Sequence, residues 1–141
     1  MRAVLLAGYR NSGKTRFAKS LCRDLRGMGI RVAVAKFSHH ELDRTGSDTQ
    51  KLTRAADGVI AFDPESTSLI LPGQRSLQDL LPLISADVLI LEGGKHLQCL
   101  PRIILPREGD DWRELDNGLG LAQWSGPVES DLDILSDSQQ A

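Results

Sequence analysis

The sequence predicts an α/β domain with a mainly parallel sheet flanked by helices. Apolar runs of strand length alternate along the chain with segments of helical periodicity, and this alternation is typical of parallel sheets whose strands are connected by helices. Aromatic residues make up 4% of the 141 residues, so the core depends on Leu, Ile, Val and Ala, as a buried parallel sheet does. The length predicts a single domain over residues 1–135, with a frayed tail at 136–141.

The elements are predicted from the spacing of apolar residues. Residues 2–7 are an apolar run that ends at Gly8 and predicts the first strand. Residues 14–28 carry apolar side chains at helical spacing, and Gly29 is placed to end that helix. The same reasoning predicts strands at 31–36, 58–62, 67–71, 87–91, 102–105 and 119–124, and helices at 48–56 and 76–84, the latter with Pro82 near its end.

Composition and charge exclude several classes of protein. No run of 18 or more residues is apolar, so a membrane span is not expected, and the first residues lack the layout of a signal peptide. Cys22 and Cys99 are too few and too far apart for a disulfide framework or a metal site, which favours a cytoplasmic protein. Residues 1–54 carry 12 Lys and Arg against 4 Asp and Glu, a balance that suits a polyanionic ligand. Because no aromatic residues are interleaved with these charges, nucleic-acid binding is not expected.

A phosphate-binding pattern, G-x-x-x-x-G-K-[ST], covers Gly8-Tyr9-Arg10-Asn11-Ser12-Gly13-Lys14-Thr15. It stands between the first predicted strand and the first predicted helix, where such a loop is required. Backbone N–H groups from Asn11 to Thr15 would face a phosphate, while Lys14 would reach the β- and γ-phosphates and the Thr15 hydroxyl would hold Mg²⁺. The motif in this setting predicts a three-layer domain of the P-loop NTPase type. The candidate nucleotide-binding residues are Gly8, Arg10, Asn11, Ser12, Gly13, Lys14, Thr15 and Arg16. For Arg10 a solvated side chain is the alternative.

A carboxylate ends the strongest predicted strand. Four apolar residues precede Glu92, which places it at the carboxyl end of a buried strand, where ligands of α/β sheets collect. There Glu92 is suited to hold Mg²⁺ through water or to orient an attacking water. Lys14 and Glu92 are therefore the candidate catalytic residues, and Thr15 and Glu92 the candidate metal ligands. The alternative is that Glu92 forms a cap or a salt bridge at the surface.

A long polar segment from Ser38 to Asp48 follows the second predicted strand and is a candidate switch or lid over the nucleotide. Asp48 is alternatively the N-cap of the following helix. Two adjacent histidines do not have metal-ligand spacing on a helix. The candidate lid residues are His39, His40, Asp43 and Asp48, and Lys95 borders the same site after Glu92.

Four segments together resemble the MobB family, the nucleotide-binding adaptor proteins of molybdopterin-guanine dinucleotide biosynthesis. These segments are the phosphate loop, the histidine-containing stretch Lys36 to Asp48, Ala55-Ala56-Asp57, and Glu92-Gly93-Gly94-Lys95-His96 with Pro101-Arg102-Ile103. Three features depart from the family pattern. Ser38 stands where Asp or Thr is common, Gly94 stands where the family has an aromatic residue, and the acidic region after residue 105 matches poorly.

The resemblance implies GTP and Mg²⁺ binding, weak intrinsic hydrolysis and a homodimer. It also implies association with the guanylyltransferase that attaches GMP to molybdopterin. On this chain Lys14 and Thr15 would serve phosphate and Mg²⁺, and Glu92 would take the carboxylate role. The sequence has no Asn-Lys-x-Asp tetrapeptide of the kind that binds guanine in many GTPases, so the residues themselves do not identify the base.

Two other functions stay open. A metal-insertion GTPase of the nickel-chaperone kind would use His39, His40, His96 and Cys99, although the chain has no Cys-x-x-Cys and no histidine-rich tail. A small-molecule kinase would use Glu92 or Asp48 as a general base, although no lid motif with paired arginines is present.

Overall fold

The computed structural model describes residues 1–38, 47–94 and 96–124. The chain divides into two compact units, Met1–Phe37 with Ser85–Ala141 and, separately, Ser38–Ile84. The single domain over residues 1–135 stays a prediction from chain length, and the tail at 136–141 lies outside the described residues. No helix in the described ranges is both long and apolar enough to cross a membrane.

The described residues contain seven strands and three α-helices. The strands are β1 (Arg2–Ala7), β2 (Val32–Lys36), β3 (Val59–Phe62), β4 (Thr67–Ile70), β5 (Val88–Glu92), β6 (Arg102–Ile104) and β7 (Gly120–Gln123). The helices are α1 (Lys14–Gly27), α2 (Asp48–Ala55) and α3 (Leu77–Leu80), with 3₁₀ helices at Leu81–Leu83 and Trp112–Glu114.

The first unit is built on a five-stranded sheet in the order β2-β5-β1-β6-β7. All of its pairings are parallel, which confirms the predicted mainly parallel sheet. β1 lies between β5 and β6, and its register places Leu6 beside both Glu92 and Ile103. The loop that leaves β1 therefore has the carboxyl ends of β5 and β6 on its two sides.

One face of this sheet is covered by α1. Phe17, Ala18 and Leu21 of the helix pack against Leu6 and Ile90 of the sheet in a buried cluster that also includes Leu105. The neighbouring strand positions Leu5, Leu89 and Leu91, whose side chains point to the opposite face, are at most 1% exposed. The central strands are thus buried on both faces, which explains why their sequences are continuous apolar runs.

The second unit contains a two-stranded antiparallel sheet, β3-β4. Asp63 forms the turn between the strands, since its Oδ1 accepts hydrogen bonds from the amides of Glu65 and Ser66, each at 2.8 Å. Helix α2 begins at Asp48, but its N-cap is Ser47, whose hydroxyl accepts a hydrogen bond from the Gln50 amide at 3.1 Å. The alternative role considered for Asp48, the N-cap of this helix, therefore belongs to Ser47, one residue earlier.

One predicted helix is shorter than its apolar pattern indicates. The segment 76–84 is α-helical only over Leu77–Leu80, and Leu81–Leu83 form a 3₁₀ helix that contains Pro82. Proline has no amide hydrogen and its ring clashes with the preceding turn, so the α-helix does not continue through it. The other predicted strands and helices are confirmed to within one residue at either end.

Candidate functional site

The phosphate loop joins β1 to α1 along a path that requires small residues. Gly8 is buried directly after β1, and a Cβ on it would collide with the Ser12 hydroxyl and would lie 2.8 Å from the Leu105 carbonyl oxygen. Gly13 has φ 90° and Asn11 has φ 60°, a left-handed conformation that glycine and asparagine adopt more readily than other residues. The two glycines of the motif are thus explained by the backbone itself.

The first turn of α1 presents backbone amides without a side-chain cap. Its N-cap is Gly13, which has no side chain to accept a hydrogen bond from them. Uncapped amides and the positive end of the helix dipole favour an anion at this end of the helix. The Ser12 amide, one of the predicted phosphate ligands, donates to the Tyr9 carbonyl oxygen at 3.2 Å and so closes a turn inside the loop.

Lys14 is folded back over the loop from which it extends. Its Nζ donates hydrogen bonds to the carbonyl oxygens of Gly8, at 2.9 Å, and Tyr9, at 2.8 Å. The ammonium group is thus held above the loop by two neutral acceptors. A negatively charged phosphate oxygen would accept a stronger hydrogen bond from it than either carbonyl oxygen does. This position agrees with the predicted role of Lys14 as a phosphate ligand.

Thr15 and Glu92 meet at the carboxyl ends of β1 and β5. The Thr15 hydroxyl donates a hydrogen bond to the Glu92 carboxylate, and Glu92 is 9% exposed. Glu92 is thus buried beside Thr15 and does not lie at the surface, as the alternative required. A hydroxyl and a carboxylate in contact are hard oxygen ligands of the kind that Mg²⁺ takes, usually together with waters and substrate phosphates. The two residues predicted as metal ligands thus fit that ion.

The other predicted site residues are either exposed or outside the described part of the chain. Arg10 and Arg16 are exposed, and so is Asp48 at the start of α2. His39, His40, Asp43 and Lys95 lie outside the described residues, so their predicted role as a lid stays a prediction. Among residues 1–38, 47–94 and 96–124, no three His, Cys, Asp or Glu side chains come together as a metal site. His96 and Cys99 are both exposed.

Gly94 stands at the position where the family that this sequence resembles has an aromatic residue. In this chain the Phe37 ring fills the space beside Gly94. A Cβ on Gly94 would lie 3.0 Å from Cδ2 and 3.1 Å from Cε2 of the Phe37 ring, and Gly94 is buried. The ring also makes an edge contact with His96 at 5.4 Å between centroids. In this chain the aromatic side chain beside the Glu92 strand therefore comes from the end of β2.

Sequence reasoning missed the segment that follows β6. The Leu105 carbonyl lies against Gly8, and Arg107 donates a hydrogen bond from Nη1 to the Arg10 carbonyl oxygen at 3.1 Å. Tyr9 donates a hydrogen bond to Glu114 at 2.9 Å. The signal for these contacts is topological, because the carboxyl ends of adjacent parallel strands lie at the same edge of the sheet.

A parallel sheet, a glycine loop that leads from its central strand into a helix, and a carboxylate at the end of the adjacent strand define a domain of the P-loop NTPase type. The chain belongs to the MobB family. The sequence model of that family, described as molybdopterin guanine dinucleotide synthesis protein B, matches residues 3–117.

Known proteins agree with this assignment. The molybdopterin-guanine dinucleotide biosynthesis adapter protein of Haemophilus influenzae is 32% identical over 140 residues, which cover 92% of this chain and 78% of that protein. A putative adapter protein of the same description from Methanocaldococcus jannaschii is 28% identical over 112 residues, 76% of this chain, and the chain spans only 46% of its length. The crystal structure of Bacillus subtilis MobB superimposes with a TM-score of 0.73 at 18% identity over 98% of both chains. The predicted fold class is confirmed.

Proposed function

We propose that this chain is a GTP-binding adaptor in molybdopterin-guanine dinucleotide biosynthesis, with weak Mg²⁺-dependent GTP hydrolysis. The observation that carries the proposal is the contact of the Thr15 hydroxyl with the Glu92 carboxylate beside a phosphate loop that holds Lys14. This arrangement gathers a cation for phosphate and two oxygen ligands for Mg²⁺ at one edge of the sheet. The adaptor role comes from the names of the relatives.

Nucleotide titration tests the binding step. Calorimetry with GTP and with ATP, each with and without Mg²⁺, should show tighter binding of GTP, and equal affinities would contradict the GTP assignment. Lys14→Ala should weaken GTP binding by about tenfold to a hundredfold, because it removes hydrogen bonds from a charged donor. Lys19→Ala is the matched control, since Lys19 is an exposed lysine on the same helix.

Hydrolysis is proposed to be slow without a partner. Lys14, Thr15 and Glu92 supply phosphate and metal contacts, whereas fast phosphoryl transfer also needs a group that stabilises the transition state, such as an arginine finger. Single-turnover GTP hydrolysis should therefore be slow for the chain alone. A rate above about 1 s⁻¹, the lower end of the kinase range, would contradict this part of the proposal.

The proposed protein partner is the guanylyltransferase that attaches GMP to molybdopterin. The relatives are named as adapters of this biosynthesis, and an adaptor acts through another protein. Co-purification from extract with the tagged chain should recover a molybdopterin guanylyltransferase. A tagged, unrelated P-loop protein of the same size serves as the control and should not recover the guanylyltransferase. Failure of the purified proteins to associate at micromolar concentration would exclude this partner.

A homodimer is also proposed, and an exposed apolar row on β3-β4 supports it. Ile60, Phe62 and Leu69 are 62%, 78% and 50% exposed. Cross-strand register puts Ile60 opposite Leu69, so their side chains share a face with Phe62. A two-stranded sheet is marginal alone, and an uncharged apolar row suits the same row of a second copy across a twofold axis.

Oligomeric mass tests the dimer. Sedimentation should give twice the chain mass for the wild type and a single chain mass for Phe62→Glu. Met28→Glu is the control, because Met28 is a similarly exposed apolar side chain, 56% exposed, at the end of α1. A wild-type chain that stays monomeric at tens of micromolar, or a Phe62→Glu variant that stays dimeric, would exclude this interface.

A further inference from the structure

The segment after β6 contacts the phosphate loop from the side opposite Glu92. Arg107 donates from Nη1 to the Arg10 carbonyl oxygen at 3.1 Å, and its guanidinium lies 5.3 Å from the centre of the Tyr9 ring. One side chain thus touches two consecutive loop residues, through a backbone hydrogen bond and a cation–π contact. Arg107 lies 97 positions along the chain from Arg10.

Asp110 holds Arg107 in this position. The guanidinium donates to both carboxylate oxygens of Asp110, at 3.0 Å from Nε and 3.0 Å from Nη2, and the Arg107 amide donates to the same carboxylate at 2.8 Å. The Asp110 side chain is 11% exposed. The side-chain hydrogen bond to Asp110 raises the pKa of Arg107. A two-pronged pair of this kind fixes the plane of the guanidinium, which a lysine cannot reproduce.

Tyr9 is held at its other end by Glu114. The hydroxyl donates to Glu114 Oε2 at 2.9 Å, and this hydrogen bond raises the pKa of Tyr9 above its ordinary value. Glu114 ends the 3₁₀ helix Trp112–Glu114. The segment 107–114 therefore contacts the loop through the Arg10 carbonyl, the Tyr9 ring and the Tyr9 hydroxyl.

Lys14 also holds this part of the loop through hydrogen bonds, but phosphate binding would draw its ammonium group away from them. In this structure its ammonium binds the Gly8 and Tyr9 carbonyl oxygens. A lysine that turns to a phosphate weakens or gives up those carbonyls. The contacts of Arg107 with Tyr9 and Arg10 do not involve Lys14 and can persist in both situations.

We propose that Arg107 is a positioning residue that keeps the Tyr9–Arg10 half of the phosphate loop in its binding conformation when Lys14 engages phosphate. This inference rests on the proposed nucleotide binding. An exposed Arg–Asp pair contributes little by itself, and Arg107 is 45% exposed. Its additional hydrogen bond to the loop backbone and its position over Tyr9 distinguish it from such a pair.

Arg113 is a matched control for Arg107. Arg113 also pairs with an aspartate, Asp111, at 3.5 Å, and it also lies over an aromatic ring, Trp112, at 5.0 Å. The Arg113 side chain contacts its sequence neighbours Asp111 and Trp112, whereas the Arg107 side chain also reaches the phosphate loop. Arg107→Ala and Arg113→Ala therefore both remove a charge, an aspartate pair and a contact with an aromatic ring, and they differ in the geometry of the pair and in the link to the phosphate loop.

Calorimetry should compare GTP with tripolyphosphate, a probe that has phosphates and no nucleoside. Arg107→Ala should weaken both ligands by the same factor, about tenfold, as expected for one lost hydrogen bond to a charged group. Arg113→Ala should change either affinity by less than about twofold. Arg107→Lys should recover part of the loss, because an ammonium can reach the Arg10 carbonyl but cannot also bind both Asp110 oxygens. Melting without ligand should show a single cooperative transition for both alanine variants, so that affinities are compared between folded proteins.

Several results would overturn the inference. Equal losses in Arg107→Ala and Arg113→Ala would indicate a general charge effect. A loss for GTP with none for tripolyphosphate would assign Arg107 to the nucleoside and not to the loop. Unchanged binding of both ligands would remove any role for Arg107 while leaving the proposed function intact. A wild-type chain that binds neither ligand would overturn the proposed function, and this inference with it.

Discussion

The Thr15 hydroxyl donates a hydrogen bond to the Glu92 carboxylate, although 77 positions of sequence separate the two residues. The contact forms because parallel pairing of β1 with β5 places Leu6 beside Glu92, and the loop after β1 returns Thr15 to the same edge at the start of α1. The hydrogen bond couples the phosphate-binding element to the strand that carries the carboxylate. A divalent cation that takes both oxygens as ligands would replace this hydrogen bond.

Substitutions at Thr15 and Glu92 should separate nucleotide binding from its Mg²⁺ dependence. Glu92→Gln keeps the size of the side chain and removes its charge. We therefore expect GTP binding without Mg²⁺ to be retained, and the gain in GTP affinity on adding Mg²⁺ to fall by about tenfold. Thr15→Ala should lose the same gain, and Thr15→Ser, which keeps the hydroxyl, should restore it. Calorimetry with and without Mg²⁺ measures both effects. A full Mg²⁺ response in Glu92→Gln would remove Glu92 from the metal site.

A methyl group on Gly8 should disable the phosphate loop. Its Cβ would lie 2.8 Å from the Leu105 carbonyl oxygen and would collide with Ser12, so the loop must move away from β6. We expect Gly8→Ala to lower GTP affinity by more than about tenfold, which corresponds to 1.4 kcal/mol. Gly27→Ala is the control, since a Cβ there meets no atom within 4 Å and alanine favours a helix. Gly27→Ala should bind GTP as the wild type does, and equal binding by Gly8→Ala would show that the loop accommodates the methyl group.

The sequence predicts most of the fold because the decisive signals are local. Continuous apolar runs mark strands buried on both faces, as at Leu89 to Leu91, and the phosphate motif specifies the turn between β1 and α1. The place of Glu92 follows from one rule about the carboxyl ends of parallel strands. The sequence also carries a signal for the antiparallel pairing of β3 and β4, which was not predicted: the turn at Asp63 separates two short apolar runs.

What sequence reasoning missed depends on tertiary pairing or on a choice between similar residues. The contact of Arg107 with the Arg10 carbonyl requires β6 to lie beside β1, and no spacing in the sequence encodes that order of strands. Ser47 and Asp48 are both good N-cap residues, and only the backbone angles decide between them. Ser47 has the extended conformation that a cap requires.

Truncation of Ile90 should measure how much the helix-to-sheet core contributes to stability. Ile90 is fully buried and packs in one cluster with Leu6 and Phe17. We expect Ile90→Ala to lower the free energy of unfolding by roughly 2–5 kcal/mol, because it loses buried surface and leaves a cavity. Leu121→Ala on β7 is the control, since Leu121 is 56% exposed, and its effect should stay within about 0.5 kcal/mol. Urea unfolding measures both, and similar losses would contradict the assigned core.

The pair Arg31–Asp87 should make stability depend on pH in the acid range. It joins the residues before β2 and β5, where Arg31 Nη2 lies 2.9 Å from Asp87 Oδ1 and the Asp87 amide donates to the Arg31 carbonyl at 2.8 Å. The side-chain hydrogen bond from Arg31 lowers the pKa of Asp87 to about 2. The unfolded chain therefore binds a proton at Asp87 at a higher pH than the folded chain does. The contribution of the charged pair to the free energy of unfolding is thus complete above about pH 4 and is lost as the pH falls through about 2.

Urea unfolding of wild type and Asp87→Asn over pH 2–7 tests this relation. The wild type should be the more stable of the two above about pH 4, and the difference should shrink towards pH 2 as Asp87 takes up its proton. Asp57→Asn, at an exposed position of the second unit, should run parallel to the wild type over the same range. Added salt should reduce the Asp87→Asn difference, because both side chains of the pair are about half exposed to solvent. A difference that does not change with pH would mean that Asp87 contributes through its shape alone, with no part played by its charge.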